Sequence, residues 1–149
     1  MVVLAAVNGE KIIRIVAAVI RDAQGRVLMV RKRGAEVWQQ PGGKRDADDR
    51  NDLHTLAREL HEELGCTMHE EGARWIGRFS APAANEPGHV VEAEVYEVKA
   101  DGPFVAQAEI EGVCWVDPAA LGDMPIARLS CESILPAVAA THVATHPQD

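Results

Sequence analysis

The sequence predicts an α/β sandwich built on a mixed β-sheet, and three observations carry that expectation. Short apolar runs bounded by turn residues recur along the chain. One amphipathic helix stands in the middle, at Asn51 to Gly65, and a second helical stretch closes the chain at Ile126 to Thr141. Strands, one central helix, more strands and a closing helix make a mixed α/β sandwich. At 149 residues the chain is expected to be one domain, residues 1–149, with 142–149 as a frayed tail.

Taken in order, Val2 to Val7 and Lys11 to Ile20 read as strands joined by an Asn8-Gly9 hairpin turn. Asp22 to Gly25 is a second turn, before a strand at Arg26 to Arg31. Trp38 to Lys44 reads as a short extended piece ending in a glycine turn, and Asp46 to Arg50 as an acidic loop. Asn51 is a good N-cap, with Asp52 in the first turn and Gly65 as the stop. Leu53, Leu56, Leu60 and Leu64 form the core-facing stripe of this helix. Further strands are expected at Ala73 to Phe79, Val90 to Val98 and Gly112 to Val116. Ser80 to His89 reads as a loop and Pro118 to Leu121 as a helical turn. Pro136 is expected to break or kink the closing helix.

Composition bounds the function. Hydrophobic content of 47% and charged content of 26% suit a soluble globular protein. A net charge of −8 argues against a nucleic-acid duplex or an anionic membrane surface as main partner. No run approaches a membrane-spanning length, and Met1 to Val7 is too short for a signal peptide, so a cytoplasmic protein is expected. Cys66, Cys114 and Cys131 show no CxxC spacing and suggest neither a disulfide framework nor a zinc site. The six histidines show no ligand spacing either.

The most informative stretch is Arg58-Glu-Leu-His-Glu-Glu-Leu-Gly65. Glu59, Glu62 and Glu63 stand at i, i+3 and i+4 and so share one helix face. Like charges packed this way destabilise a helix unless a counter-ion is near. Hard oxygen ligands on one face suit Mg²⁺, and such an ion can neutralise phosphate oxygens and make a water nucleophilic near neutral pH. The competing reading is a solvated glutamate face paired with Lys or Arg. Upstream, Gly42 and Gly43 offer backbone carbonyls for a metal, and Lys44 a cation for phosphate.

Together, Trp38-x-x-Pro-Gly-Gly-Lys44 and Arg58-Glu-Leu-x-Glu-Glu-x-Gly65 resemble the Nudix hydrolase family, of the MutT-like kind. The family box is Gly-x5-Glu-x7-Arg-Glu-U-x-Glu-Glu-x-Gly-U, where U is a bulky aliphatic residue. Its second half fits from Arg58 to Gly65, with Cys66 in the last place. Its first half does not. The first glutamate falls on Arg50 and the glycine on Lys44, as if the loop held one extra residue. Asp48 or Asp49 is a candidate for the missing carboxylate, since a loop tolerates an insertion cheaply.

The resemblance implies a Nudix-type α/β/α sandwich with a mixed central sheet. It implies Mg²⁺ or Mn²⁺ held by Glu59, Glu62 and Glu63 with a carbonyl of Gly42 or Gly43. Arg58 would brace the box carboxylates, and Lys44 would meet a phosphate. A further carboxylate, Glu109 or Glu111, would come from late in the fold, and Glu59 or one of this pair would take the water's proton. Trp38 and Phe79 are candidates for base stacking. The activity implied is Mg²⁺-dependent hydrolysis of a nucleoside diphosphate linked to a group X, foremost as a nucleoside triphosphate pyrophosphohydrolase. An ADP-ribose or nucleotide-sugar pyrophosphatase is the alternative, and Pro82, 16 residues beyond Cys66, fits an ADP-ribose enzyme. A non-hydrolytic nucleotide sensor is the third reading, motivated by Arg50. Similar proteins are frequently homodimers, so a homodimer is a candidate state.

Overall fold

A computed structural model describes residues 3–7, 10–83 and 86–145. Its strands are β1 (Val3–Val7), β2 (Glu10–Val19), β3 (Val27–Lys32), β4 (Gly42–Gly43), β5 (Thr67–Pro82), β6 (His89–Asp101) and β7 (Ile110–Val116). Its α-helices are α1 (Asp52–Leu64) and α2 (Leu135–Thr145), the second entered through a π-helical turn at Leu129–Ile134. The main sheet runs β1-β2-β6-β5, with β4 added on β2. It is mixed: β2 and β6 are parallel, while the β1–β2, β2–β4 and β5–β6 pairs are antiparallel. β3 and β7 form a separate antiparallel pair.

Helices cover both faces, and β2 shows why its sequence is almost continuously apolar. Val16, Ala18 and Ile20 point into a core with Leu56, Leu60 and Leu64 of α1. The alternate residues Ala17 and Val19 pack with Ile134, Leu135 and Val138 at the chain's end. A strand buried on both faces carries no polar alternation. The expected α/β/α sandwich with a mixed central sheet is therefore the fold.

Several expected elements shift. Gly42-Gly43 is not a turn but a short strand, paired Val16 to Gly43 and Ala17 to Gly42. Gly42 sits at φ 148°, where a Cβ would run into the Val16 carbonyl, so glycine is required for this close approach. β5 begins at Thr67 and runs to Pro82, absorbing the first part of the expected Ser80–His89 loop. Register breaks between His69 and Arg74 and between Trp75 and Gly77 hid it from a period-of-two reading. Pro118 lies in a single turn, with Ala120 N donating to Asp117 O. The closing helix starts later than Ile126 and reaches Thr145. Leu135 N donates to Ser130 O across the π turn, and α2 places Pro136 in its first turn, where proline is tolerated. The expected Asn8-Gly9 turn and residues 146–149 lie outside the described residues.

Candidate active site around helix α1

α1 forms where capping and periodicity agree. Asn51 accepts a hydrogen bond from His54 N, and Gly65 closes the helix at φ 69° with its N–H on His61 O. The leucine stripe faces the core, so Arg58, Glu59, Glu62 and Glu63 lie along the side turned to β4 and the preceding loop.

Arg58 organises this side. Its Nε and Nη2 donate to Asp49 at 3.2 and 2.8 Å, its Nη2 to Lys44 O at 3.1 Å, and its Nη1 to Glu59 at 3.0 Å. Glu62 stands 3.5 Å from the same Nη1. Asp49 also accepts from Thr55 Oγ1 at 2.9 Å and Asp46 N at 2.8 Å, and its side chain is only 2% exposed. The Arg58 hydrogen bonds hold the Asp49 carboxyl well below the usual range against the opposing effect of burial. Asp48 and Arg50 are exposed. Of the two candidate substitutes for the missing box carboxylate, Asp49 is the one the structure places on Arg58.

The other carboxylates of the trio differ in their exposure to solvent. Burial raises the Glu59 carboxyl, with Arg58 opposing and Glu62 adding to the rise. Gly43 backs directly onto Glu59, where an added Cβ would overlap the carboxylate. Glu63 is buried and takes a long hydrogen bond of 3.4 Å from Gly42 N. Burial pushes its carboxyl up to about 8, helped by the Glu59 charge. Glu62 is the exposed member of the trio, at 54%.

The late carboxylates separate. The loop after β6 lies on the end of α1: Gln107 N donates to Glu63 O at 2.9 Å and Val105 N to Leu64 O at 3.0 Å. These bonds satisfy carbonyls that a helix end leaves open. They bring Glu109 close enough to add to the rise of Glu63. Glu111 instead pairs with Arg31 at 2.8 Å. Lys32, which the motif reading passed over, opposes the rise of both Glu59 and Glu63 from the end of β3. The signal was available, since a strand-end lysine after an apolar run lies at the rim of a sheet.

Beside these groups opens a cleft of about 230 Å³, lined by Lys32, Lys44, Gln40, Pro82, Leu129 and Ser130 among others. Neither Trp38 nor Phe79 lines it. Trp38 packs in the second core with the Arg31 guanidinium 5.6 Å from its ring centre, and Phe79 packs in the same core. Pro82 and Glu86 border the cleft; Asn85 lies outside the described residues.

The donor set fits a hard divalent cation in type: three carboxylates on one helix face, one of them buried and, among the described residues, in no ion pair. As they stand, no three His, Cys, Asp or Glu side chains among the described residues converge enough to hold a metal. Arg58 keeps Glu59 and Glu62 to itself, and Glu63 turns to Gly42. No helix among the described residues is long and apolar enough to cross a membrane.

Comparison with known proteins agrees with this fold. Residues 11–133 match the model of the NUDIX domain. No protein of curated function matches the chain significantly in sequence. Among solved structures, a MutT NUDIX hydrolase from Burkholderia pseudomallei is similar at TM-score 0.72 and 24% identity, over 87% of this chain and 99% of that one. The E. coli ORF135 protein is similar at TM-score 0.69 and 24% identity, over 97% and 100% of the two chains. A UDP-X diphosphatase is similar at TM-score 0.70 and 22% identity, over 93% of this chain and 66% of that one. At these identities the structural likeness is one of fold.

Proposed function

Because the chain belongs to the Nudix family and is a hydrolase acting on pyrophosphate bonds, we propose that its substrate is a nucleoside triphosphate, cleaved to the monophosphate and pyrophosphate. One observation carries the reading: the Glu59 and Glu63 carboxylates and the β4 glycines stand beside a cleft that Lys32 and Lys44 line. Anions of a polyphosphate chain meet the two ammonium groups, and the carboxylates flank the bond to be broken. Glu59, Glu62 and Glu63, with a carbonyl of Gly42 or Gly43, are the groups that would hold Mg²⁺ or Mn²⁺. Such an ion supplies neutralisation of the non-bridging oxygens and a water made nucleophilic.

The chain's own residues set the rest. Arg58, fixed by Asp49, orients Glu59. Gly43 leaves room for the Glu59 carboxylate, which any side chain there would displace. Glu59 would accept the proton of the attacking water, and Glu109 adds to the negative field around Glu63. With Asp49 on Arg58, the exposed Arg50 no longer argues for a hydrolytically silent sensor.

The test is a panel of nucleoside triphosphates, ADP-ribose, nucleotide sugars and dinucleoside polyphosphates with Mg²⁺, run on the wild type, Glu59→Gln and Glu63→Gln. Triphosphate turnover that falls at least 100-fold in both variants, with folding intact, is the expected result. Preferred turnover of ADP-ribose or a nucleotide sugar would replace the substrate assignment. Tight nucleotide binding without any turnover would replace hydrolysis with sensing. Full activity in both variants would remove these glutamates from the site.

A further inference from the structure

The cleft holds a polar couple that the hydrolytic residues do not explain. Gln40 is 5% exposed and Ser130 2%, and both line the cleft among the aliphatic side chains of Ile13, Ile15, Val91 and Leu129. Ser130 Oγ donates to Gln40 Oε1, which fixes the orientation of the amide. Gln40 Nε2 then turns one hydrogen to Met29 Sδ at 3.4 Å, a weak acceptor. A second amide hydrogen and the lone pairs of Ser130 Oγ remain. The couple thus offers one donor and one acceptor side by side, and among the described residues neither makes a further hydrogen bond.

Its placement is deliberate in the fold. Gln40 comes just before Pro41 and the β4 glycines, so it is tied to the same segment that approaches Glu59. Ser130 is presented by the π-helical turn, with its own N–H on Ala127 O and its carbonyl taken by Leu135 N. Lys32 acts on Glu59 and Glu63, and Lys44 follows the β4 glycines with its carbonyl on Arg58, so phosphate belongs on that side, which leaves the Gln40–Ser130 stretch for the rest of the ligand. A nucleobase has flat faces suited to aliphatic walls and an edge with adjacent donor and acceptor. A bare polyphosphate would leave the couple unanswered.

We propose that Gln40 and Ser130 read the hydrogen-bonding edge of the nucleobase and are specificity-determining residues of this hydrolase. The inference rests on the nucleotide reading of the site. Binding measured without turnover separates the two. Isothermal titration of the whole chain with AMP, GMP, CMP and UMP in Mg²⁺ buffer is expected to give a spread of at least about 10-fold in Kd, as hydrogen-bonded recognition of an edge provides. Gln40→Met, of similar length and without the amide, and Ser130→Ala should each shrink the spread to about threefold. If one variant fails to fold, the other decides. A wild-type spread under threefold, no binding of any monophosphate, or a folded variant that keeps the wild-type ranking and spread would overturn the inference. Triphosphate hydrolysis without base preference would leave the proposed function standing and this inference refuted. Base discrimination without hydrolysis would do the reverse.

Discussion

Replacing Asp49 by alanine removes a carboxylate that is almost wholly shielded and accepts from Arg58 Nε and Nη2, Thr55 Oγ1 and Asp46 N at 2.8–3.2 Å. Breaking a buried ion pair by deleting one partner costs about 3–5 kcal/mol. Arg58 is 23% exposed and keeps Glu59 at 3.0 Å, so the stranded guanidinium is partly compensated. About 2–3 kcal/mol is the resulting expectation for Asp49→Ala, scaling down the buried-pair range. For a chain of this length that is a fall in Tm of roughly 4–12 °C. Thermal unfolding by circular dichroism at pH 7 in EDTA reads it, with Asp48→Ala as the comparison, since Asp48 is exposed and should change Tm by under about 2 °C. The pH dependence follows from the sign of the shift. The folded carboxyl lies below its ordinary value of 3.8, so its contribution is present above that pH and is lost as pH falls toward the folded value. The gap between wild type and Asp49→Ala should therefore close in acid. An Asp49→Ala protein as stable as wild type at pH 7, or an Asp48→Ala protein equally damaged, would refute the replacement of the box glutamate by Asp49.

Three further outcomes are expected. Burial raises the Glu63 carboxyl from 4.5 to about 8, so in metal-free protein its contribution is full below 4.5 and is lost as pH rises through about 8. The upper limit is about 5 kcal/mol at 1.36 kcal/mol per unit. Tm in EDTA should fall between pH 5 and 9, and Glu63→Gln should flatten that fall; an unchanged slope counts against it. Gly43→Ala forces a methyl group into the Glu59 carboxylate and should lower kcat more than tenfold; wild-type kcat would show the contact is unimportant. Of the late glutamates, Glu109→Gln should move the acid limb of the pH–rate profile to lower pH by relieving Glu63. Glu111→Gln should lose only the half-exposed pair with Arg31, under about 1 kcal/mol of stability. Identical profiles for the two variants would dissolve the distinction.

Much of the fold is written in local pattern. The leucine stripe, the Asn51 cap and the Gly65 stop define α1 to the residue, because helix periodicity and capping depend on near neighbours. β2 and β3 are legible for the same reason. β5 is legible only in part, since its two register breaks depend on the partner strand β6. The start of the closing helix is misjudged because a π turn resets its register before Pro136.

The site divides along the same line. The sequence by itself determined the family, the trio Glu59, Glu62 and Glu63 on one helix face, and the irregularity before Arg58, since all are matters of spacing along one segment. Tertiary structure alone decided which aspartate reaches Arg58, which late glutamate faces Glu63, and that Trp38 packs under Arg31 away from the cleft. It also brought Lys32 toward the carboxylates and Ser130 onto Gln40, 90 residues apart in the chain. The physical reason is range. Helical and turn preferences are set within a few residues, whereas charge pairing, burial and the raised Glu63 carboxyl depend on which distant segments the closed core brings into contact.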